Sequence, residues 1–273
     1  MIASSGDVLA VLPVAGLGSR LRPLTDVCPK ELLPVGRKPA FDWILDELHA
    51  AGIEEAVLVT SPSKDTVFRS RYGARSAGIA LGYVVQPRML GLGDALERAA
   101  EAAGGRDVLL ALGDALIDEP TPGGVTRRVM DAPGRIAIAV QSVPRAMSRR
   151  YGIVRPAARA EGPAFAISGI VEKPGPEDAP SDFAVCARYR LPYSIFAALG
   201  ACPRAEGVEL PVTGAIDTLL AGGVDGCAVP LSTDESRHDI GGFDTYFRAF
   251  LAFAIDDETH GAALRTTLGD MLE

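Results

Sequence analysis

Residues 11–35 read VLPVAGLGSRLRPLTDVCPKELLPV. They complete an apolar run that begins at Val8, and a short apolar run of this kind predicts a buried strand. A loop containing Gly16 and Gly18 follows, with Arg20 directly beyond it. Because glycine has no side chain, it lets backbone N–H groups approach a phosphate closely. The stretch therefore predicts a polyphosphate site at the end of the first strand.

The charges after the loop strengthen this prediction, although the loop matches neither of two common phosphate motifs. Arg20 and Lys30 supply positive charge that persists at neutral pH. No Gly-Lys-Ser/Thr step closes the loop as in a Walker motif, and Gly16-Leu17-Gly18 lacks the third glycine of a dinucleotide fingerprint. A dinucleotide-dependent oxidoreductase is therefore disfavoured. Three prolines also keep a helix from starting directly after the turn: Pro23, Pro29 and Pro34.

Short apolar runs alternate with helical spacing through the first half of the chain. The predicted strands are 7–14, 56–60, 79–86, 108–112 and 136–143, and the predicted helices between them are 40–51, 64–72 and 92–103. Such alternation predicts right-handed βαβ units, and hence an α/β fold with a mainly parallel sheet and helices on both faces. Ligands of such sheets bind at the carboxyl ends of the strands, where Gln86 and Asp114 fall.

The second half has a more mixed pattern with fewer crossovers. Its predicted strands are 153–154, 165–172 and 184–191, and its predicted helices are 193–199, 213–221 and 243–255. We expect a single domain over residues 7–256, followed by a C-terminal tail over 257–273. Within the domain, a first part of about 7–145 precedes a smaller, β-rich part of about 146–256.

The composition narrows the possible partners. The formal net charge is −8 at pH 7, which argues against a nucleic-acid or anionic-membrane surface. An acidic chain that binds anionic substrates must concentrate its positive charge locally, and it usually recruits a metal ion. The four cysteines lack zinc spacing, no apolar stretch is long enough to span a bilayer, and the N-terminus lacks the basic region of a signal peptide. We therefore expect a cytoplasmic protein.

The step Pro29-Lys30-Glu31-Leu32-Leu33-Pro34 and the lead-in Ala51-Gly52-Ile53-Glu54-Glu55 carry a family resemblance. Together with the glycine loop, they resemble the signature of the sugar-1-phosphate nucleotidylyltransferases, and they are most similar to the bacterial UTP–glucose-1-phosphate uridylyltransferases. Thymidylyltransferases usually carry a different residue at the position of Glu31. The resemblance runs from about Val8 to Phe250 and implies a Rossmann-like fold. It also implies that the chain joins UTP to glucose 1-phosphate and releases pyrophosphate.

The resemblance also assigns roles to residues of this sequence. Leu110-Ala111-Leu112-Gly113-Asp114 is an apolar strand that delivers a carboxylate, and family members pair such a carboxylate with a second one, here Asp239, around one Mg²⁺. The implied catalytic residues are Arg20, Lys30 and Lys173. The implied nucleotide-binding residues are Ala15, Gly16, Gly18, Gln86 and Gly91. The implied sugar-phosphate-binding residues, in the smaller part of the domain, are Gly152, Glu172, Lys173 and Arg188.

Some positions depart from the family and keep alternatives open. Gly214 stands where most relatives have Asp near the sugar pocket, and Leu112-Gly113-Asp114 is closer to the thymidylyltransferase form. The alternatives are therefore a dTTP-dependent thymidylyltransferase or a uridylyltransferase for another sugar. A catalytically silent regulator that binds sugar nucleotides is a further alternative, but it would usually have lost one of the charged site residues. The resemblance also implies a homodimer or homotetramer.

Overall fold

The structure is a computed structural model that describes residues 8–204 and 208–272. The strands are β1 (Val8–Pro13), β2 (Pro34–Val35), β3 (Lys38–Pro39), β4 (Glu55–Thr60), β5 (Arg75–Ser76), β6 (Ile79–Val85), β7 (Asp107–Ala111), β8 (Ala115–Asp118), β9 (Ile136–Ser142), β10 (Gly152–Pro156), β11 (Phe165–Glu172), β12 (Phe183–Leu191), β13 (Gly226–Pro230) and β14 (Ser236–Asp239). The helices are α1 (Ala40–Ala50), α2 (Asp65–Tyr72), α3 (Leu92–Arg98), α4 (Ala100–Ala103), α5 (Gly124–Asp131), α6 (Ile195–Ala201), α7 (Val212–Ala221), α8 (Phe243–Ile255) and α9 (Gly261–Leu272).

Ten of these strands form one mixed sheet in the order β10-β11-β13-β9-β12-β7-β1-β4-β6-β5. The neighbours β7, β1, β4 and β6 run parallel, as the alternation of strands and helices in the first half predicts. The second half supplies strands that pair antiparallel with β7 and β9, while β13 runs parallel to β9. The predicted α/β fold is confirmed, but the sheet is mixed and not mainly parallel, because most strands of the second half pair antiparallel.

The central strand β1 is buried on both faces. Val8, Ala10 and Leu12 belong to one apolar cluster, and Leu9 and Val11 belong to another. Because successive side chains of a strand point to opposite faces, two helical layers each cover one of these sets. This double burial explains why β1 reads as a continuous apolar run.

Several elements agree with the sequence prediction and others were missed. β11 and α8 have the predicted bounds, whereas the predicted helix 92–103 is divided at Ala99. The elements without a prediction include α5, the two-stranded β8–β14 ribbon and α9, which lies in the expected tail. Residue 7, the expected start of the first strand, lies outside the described residues.

The two predicted parts of the domain share the same sheet. β9, from the first part, lies between β12 and β13, which come from the second part. After β1 the chain makes three short 3-10 turns and enters no α-helix before Ala40, as the three prolines predict. Within residues 8–204 and 208–272, none of the helices combines the length and the apolar character needed to cross a bilayer.

The β5–β6 hairpin turns on Ala77 and Gly78, whose φ angles are 46° and 82°. A two-residue turn with positive φ at both positions is the type I′ arrangement, in which Asn is preferred over Ala. We expect Ala77→Asn to raise the free energy of unfolding by about 0.5–1 kcal/mol, because Asn tolerates left-handed backbone better. Urea unfolding measures the difference.

The neighbouring glycine provides the control for this prediction. A Cβ at Gly78 would lie 2.5 Å from Cε1 of His49, so Gly78→Ala should lower the stability. If Ala77→Asn left the stability unchanged or lowered it, backbone strain in the turn would not be the property that limits this hairpin.

Candidate active site

A cavity of about 310 Å³ opens where the first, sixth and seventh strands end. Among its lining residues are Ala15, Gly16, Gln86 and Gly91, which the family resemblance assigned to nucleotide binding. Lys30, assigned to catalysis, and Asp114, assigned to metal binding, also line it. Gly113, just before Asp114, has to be a glycine, since a Cβ there would lie 2.7 Å from Cγ1 of Val14. The ends of β1 and β7 therefore approach closely at this point.

A larger cavity of about 420 Å³ lies elsewhere and contains none of the predicted site residues. Its rim carries many carboxylates, including Asp46, Asp118, Asp256 and Glu258. This concentration of negative charge would repel a polyphosphate. The smaller cavity, which the glycine loop and Lys30 line, is therefore the candidate nucleotide site.

The loop after β1 is bound through its backbone by Lys64, a buried residue directly before α2. Its Nζ donates hydrogen bonds to the backbone oxygens of Val14, at 3.0 Å, and of Gly16. The same ammonium contacts the two carboxylate oxygens of Glu31 at 3.0 and 2.8 Å. Lys64 therefore connects the glycine loop to the turn that carries Lys30.

This arrangement prepares the loop for an anion. Carbonyl groups that point toward Lys64 cannot point toward a bound phosphate, where they would be repulsive. Burial raises the pKa of Glu31 and lowers that of Lys64, while the attraction between the two groups opposes both shifts. Glu31 therefore has its main ion pair with Lys64, and its charge also acts on the neighbouring Lys30.

Lys30 forms an ion pair with Asp114 across the cavity. Burial by itself lowers the pKa of Lys30, but the carboxylates of Asp114 and Glu31 outweigh this effect and raise it above its usual value. For Asp114 the directions are reversed. Burial raises its pKa, but the ammonium of Lys30 outweighs burial and holds the pKa below its usual value. Both groups are therefore charged at neutral pH.

The β8–β14 ribbon brings the second predicted carboxylate beside the first. Asp239 pairs with Ala115 in the ribbon, and the N–H of Ile240 donates to the backbone oxygen of Asp114 at 3.0 Å. Burial, followed by repulsion from Asp114, raises the pKa of Asp239. Two adjacent carboxylates that repel each other form a set of oxygen ligands that suits a divalent cation.

Arg20 lies on the same side as Asp239. A Cβ at Gly241 would lie 2.9 Å from Nη2 of Arg20 and 3.0 Å from Oδ1 of Asp239, so the glycine marks the point where the two groups converge. Arg20 itself is exposed. Its guanidinium can therefore reach an anion that also lies close to Asp239.

The amide of Gln86 has a fixed orientation. Its Nε2 donates to the backbone oxygen of Gly91 at 3.1 Å and to Oδ2 of the buried Asp94 at 2.7 Å. Because both partners accept hydrogen bonds, the amide nitrogen must face them. Gly91 is required for a different reason, since a Cβ there would lie 2.8 Å from Cβ of Glu209.

Three of the four predicted sugar-phosphate residues, Gly152, Glu172 and Lys173, lie on or directly after the β10–β11 hairpin. Gly152 pairs with Glu172, and a Cβ at Gly152 would lie 3.5 Å from Oε2 of that carboxylate. Lys173 has a left-handed backbone with φ of 46°, and its N–H donates to the backbone oxygen of Tyr151 at 3.0 Å. Strained backbone of this kind is concentrated at functional sites.

Comparison with known proteins places this arrangement in a family. Residues 9–254 match the family model described as Nucleotidyl transferase. The chain belongs to the nucleotidyl transferase family. It is 35% identical to a UTP–glucose-1-phosphate uridylyltransferase 2 of Streptococcus pyogenes serotype M3 over 235 residues, which cover 77% of this chain and 79% of that protein. The family resemblance seen in the sequence is thereby confirmed.

Solved structures support the same assignment. A UTP-bound UGPase from Acinetobacter baumannii superposes with a TM-score of 0.85 at 29% identity, covering 96% of this chain and 98% of that one. A UDP-glucose pyrophosphorylase complexed with UDP-glucose gives a TM-score of 0.81 at 27% identity, covering 90% and 98%. This member of the nucleotidyl transferase family therefore shares its fold with proteins solved with a nucleotide or a sugar nucleotide.

The structure corrects the role of Arg188. This side chain is fully buried, and its Nε and Nη2 donate to the carboxylate of Glu47 at 2.8 and 2.6 Å. Nη2 also donates to the backbone oxygen of Ala115 at 3.1 Å. A guanidinium whose donors are engaged in this way does not reach a sugar phosphate. It supports the backbone next to Asp114 instead.

Sequence reasoning also missed Lys64, Glu47 and Arg237. The sequence carried one usable signal for Lys64. A lysine at the start of a helix is opposed by the helix dipole, which suggests a role outside the helix. Glu47 lies on the inner face of α1, and Arg237 lies in a strand without a prediction, so neither had a sequence signal.

The buried Lys64–Glu31 pair can be tested through stability. We expect Lys64→Met to lower the free energy of unfolding by about 3–5 kcal/mol, because it leaves a buried carboxylate without its partner. Urea unfolding followed by circular dichroism measures this loss. The double variant Lys64→Met/Glu31→Gln should regain part of the loss, but the backbone oxygens of Val14 and Gly16 would still lack their donor.

Lys38→Met is the matched control, since it breaks the more exposed ion pair between Lys38 and Asp46. Its cost should be about 1 kcal/mol or less. Equal losses in Lys64→Met and Lys38→Met would contradict the structural role assigned to the buried pair.

Proposed function

We propose that this chain transfers the uridylyl group of UTP to glucose 1-phosphate, forming UDP-glucose and releasing pyrophosphate. The observation that carries the proposal is the convergence of Lys30, Asp114 and Asp239 at the ends of the strands, beside the loop that Lys64 shapes. The names of the relatives support these substrates.

The proposed reaction is a direct displacement at the α-phosphorus. A phosphate oxygen of glucose 1-phosphate forms the new bond to this phosphorus, and the bond to the bridging oxygen of the leaving pyrophosphate breaks. The attacking oxygen is already ionised at neutral pH, so that no general base is needed. The main obstacle is repulsion between two polyanions, which positioning and charge neutralisation must overcome.

The cations of this chain fit the parts of that reaction. Lys30 lies at the loop, where it would contact the α-phosphate as negative charge develops there. The exposed guanidinium of Arg20 would bind the leaving pyrophosphate, together with backbone N–H groups of Gly16 and Gly18. Lys173, at the hairpin that carries Glu172, would contact the sugar phosphate.

Asp114 and Asp239 would hold Mg²⁺. Among residues 8–204 and 208–272, no group of three or more His, Cys, Asp or Glu side chains forms a metal site. Mg²⁺ is commonly bound by one or two carboxylates plus substrate phosphates and water, which suits this pair. When bound, the ion would neutralise phosphate charge and align the reactants.

The fixed amide of Gln86 bears on the choice of base. Both protons of its Nε2 are used by Gly91 and Asp94, so the amide can offer only its Oε1 to a ligand. An acceptor complements the N3–H of uracil or thymine, whereas the N3 of cytosine is itself an acceptor. The contact therefore favours UTP or dTTP over CTP and does not separate the first two.

The sugar is the less determined substrate. A Cβ at Gly214 would meet nothing within 4 Å, so the missing carboxylate leaves open space. Asp217, one helical turn further on, accepts a hydrogen bond from the N–H of Ile170 at 3.1 Å. Another sugar 1-phosphate is accordingly the second candidate substrate. The homo-oligomer and the cytoplasmic location stay predictions.

The experiment that tests the proposal is pyrophosphate release with Mg²⁺, crossing UTP, dTTP, CTP, ATP and GTP with several sugar 1-phosphates. We expect the highest kcat/KM with UTP and glucose 1-phosphate. CTP should be at least about tenfold poorer than UTP, because an unpaired buried acceptor costs about 1–3 kcal/mol. Folded protein that binds UTP but releases no pyrophosphate from any pair would instead be a silent regulator.

The role of Lys30 is tested separately. We expect Lys30→Ala to fold and to lose about 10²–10³ in kcat, since it removes a charged contact to the reacting phosphate. Steady-state pyrophosphate release measures the loss. Lys38→Ala is the control, because it also removes an ammonium, and Lys38 does not line the smaller cavity. Near wild-type turnover in Lys30→Ala would refute the assignment.

A further inference from the structure

Arg237 is a cation of the site for which neither the sequence nor the family resemblance provided a role. It lies on β14, two residues before Asp239, and alternate residues of a strand share one face. Its Nε is buried and has no hydrogen-bond partner among the described residues. A buried donor without a partner costs about 1–3 kcal/mol, so a guanidinium kept in this state suggests that a ligand supplies the missing acceptor.

The surroundings of Arg237 place it between the two halves of the site. Its guanidinium carbon lies 5.0 Å from the ring centre of Tyr151, which is next to Gly152. On its other side, Arg237 belongs to the strand that ends at Asp239, and this strand pairs with β8, which begins directly after Asp114. The guanidinium is therefore within electrostatic reach of the carboxylates on one side, and it contacts the sugar hairpin on the other.

A ligand that spans these two halves has to place its phosphate near Arg237. The sugar would lie against Gly152 and Glu172, whereas the α-phosphorus would lie at Lys30 and Asp114. The group that joins them in the proposed reaction is the phosphate of the sugar 1-phosphate. An arginine suits this position, because its planar group can donate two parallel hydrogen bonds to a phosphate.

We propose that Arg237 binds the phosphate of the sugar 1-phosphate and orients its attacking oxygen toward the α-phosphorus. The cation–π contact with the ring of Tyr151 holds the guanidinium beside the hairpin, and a phosphate oxygen becomes the acceptor for Nε. Lys173, whose side chain is 60% exposed and whose Nζ lies 3.4 Å from Oε1 of Glu172, then contributes charge from a more exposed position. The inference rests on the proposed function. It adds a residue that recognises the phosphate of the second substrate, the sugar 1-phosphate.

A purely structural alternative is that Arg237 only balances the charges of Asp114 and Asp239. The two roles differ in the substrate that they affect. Loss of a phosphate contact changes the KM for the sugar 1-phosphate, whereas loss of charge balance at the carboxylates changes the dependence on Mg²⁺ and on UTP.

The test compares Arg237→Met, Arg237→Lys and wild type in steady-state pyrophosphate release, varying UTP, glucose 1-phosphate and Mg²⁺ in turn. We expect Arg237→Met to raise the KM for glucose 1-phosphate at least about tenfold, as for a lost hydrogen bond to a charged group, and to lower kcat. The KM for UTP and the Mg²⁺ requirement should stay within about twofold of wild type. Arg237→Lys should be intermediate, because it keeps the charge but loses the planar group.

Arg150→Met is the matched control. The guanidinium carbon of Arg150 lies 5.9 Å from the ring centre of the same Tyr151, but this side chain is exposed. We expect its kinetics to match wild type. Thermal unfolding of each variant separates a local effect from loss of fold, and Arg237→Lys serves as the readout if Arg237→Met does not fold.

Calorimetric binding of glucose 1-phosphate separates this inference from the proposed function. At least tenfold weaker binding by Arg237→Met supports the inference, even if wild type releases no pyrophosphate and the proposed function fails. Unchanged binding and unchanged KM for glucose 1-phosphate would overturn the inference while leaving the proposed function intact. A change confined to UTP or Mg²⁺ would overturn it in favour of charge balance.

Discussion

The ammonium of Lys64 is the constraint on which the rest of the site depends. It is buried behind the glycine loop and bonds to the end of β1, to the loop itself and to the carboxylate of Glu31. One cation thereby joins three segments of the chain. Because Glu31 follows Lys30 directly, the same contact sets the position of the lysine that faces the cavity. Burying the pair opposes its ionisation, and the mutual attraction of the two charges offsets part of that cost.

A second buried pair supports the carboxylates. Arg188 and Glu47 join β12 to α1, and Thr126 of α5 donates to the same carboxylate. Arg188 also bonds to the backbone of Ala115, the first residue of the ribbon that holds Asp114 beside Asp239. The distance between the two carboxylates therefore depends on the packing of β12 against α1 and α5. Rigid support of this kind is what a site that works by charge positioning requires.

The distribution of charge reconciles an acidic protein with anionic substrates. The net charge is −8, and acidic residues concentrate around the larger cavity, which would repel a polyphosphate. At the smaller cavity, Lys30 pairs with Asp114, and the guanidinium of Arg20 converges with the carboxylate of Asp239 at Gly241. Cations that are positioned before substrate binds need little reorganisation, and this favours an electrostatic mechanism.

The sequence by itself determined the β1 strand, the glycine loop and the parallel part of the sheet. Local periodicity and chain direction suffice for these features, because the strand ends of a parallel sheet must meet on one edge. Lys30, Asp114 and Gln86 could be placed there from their positions after strands or next to the loop. The residues on the hairpin, Gly152 and Glu172, followed from the family resemblance and not from periodicity.

Only the tertiary structure decided which charges face a ligand and which are buried in pairs. Arg188 and Arg237 both lie in strands. The first forms a buried ion pair with Glu47 of α1, whereas the second has a buried Nε without a partner in the described part of the chain. The ribbon that unites Asp114 with Asp239 likewise joins segments far apart in sequence. Such contacts have no local sequence signal, because a side chain's partner is set by the packing of distant elements, and periodicity reports only which face of its own element it occupies.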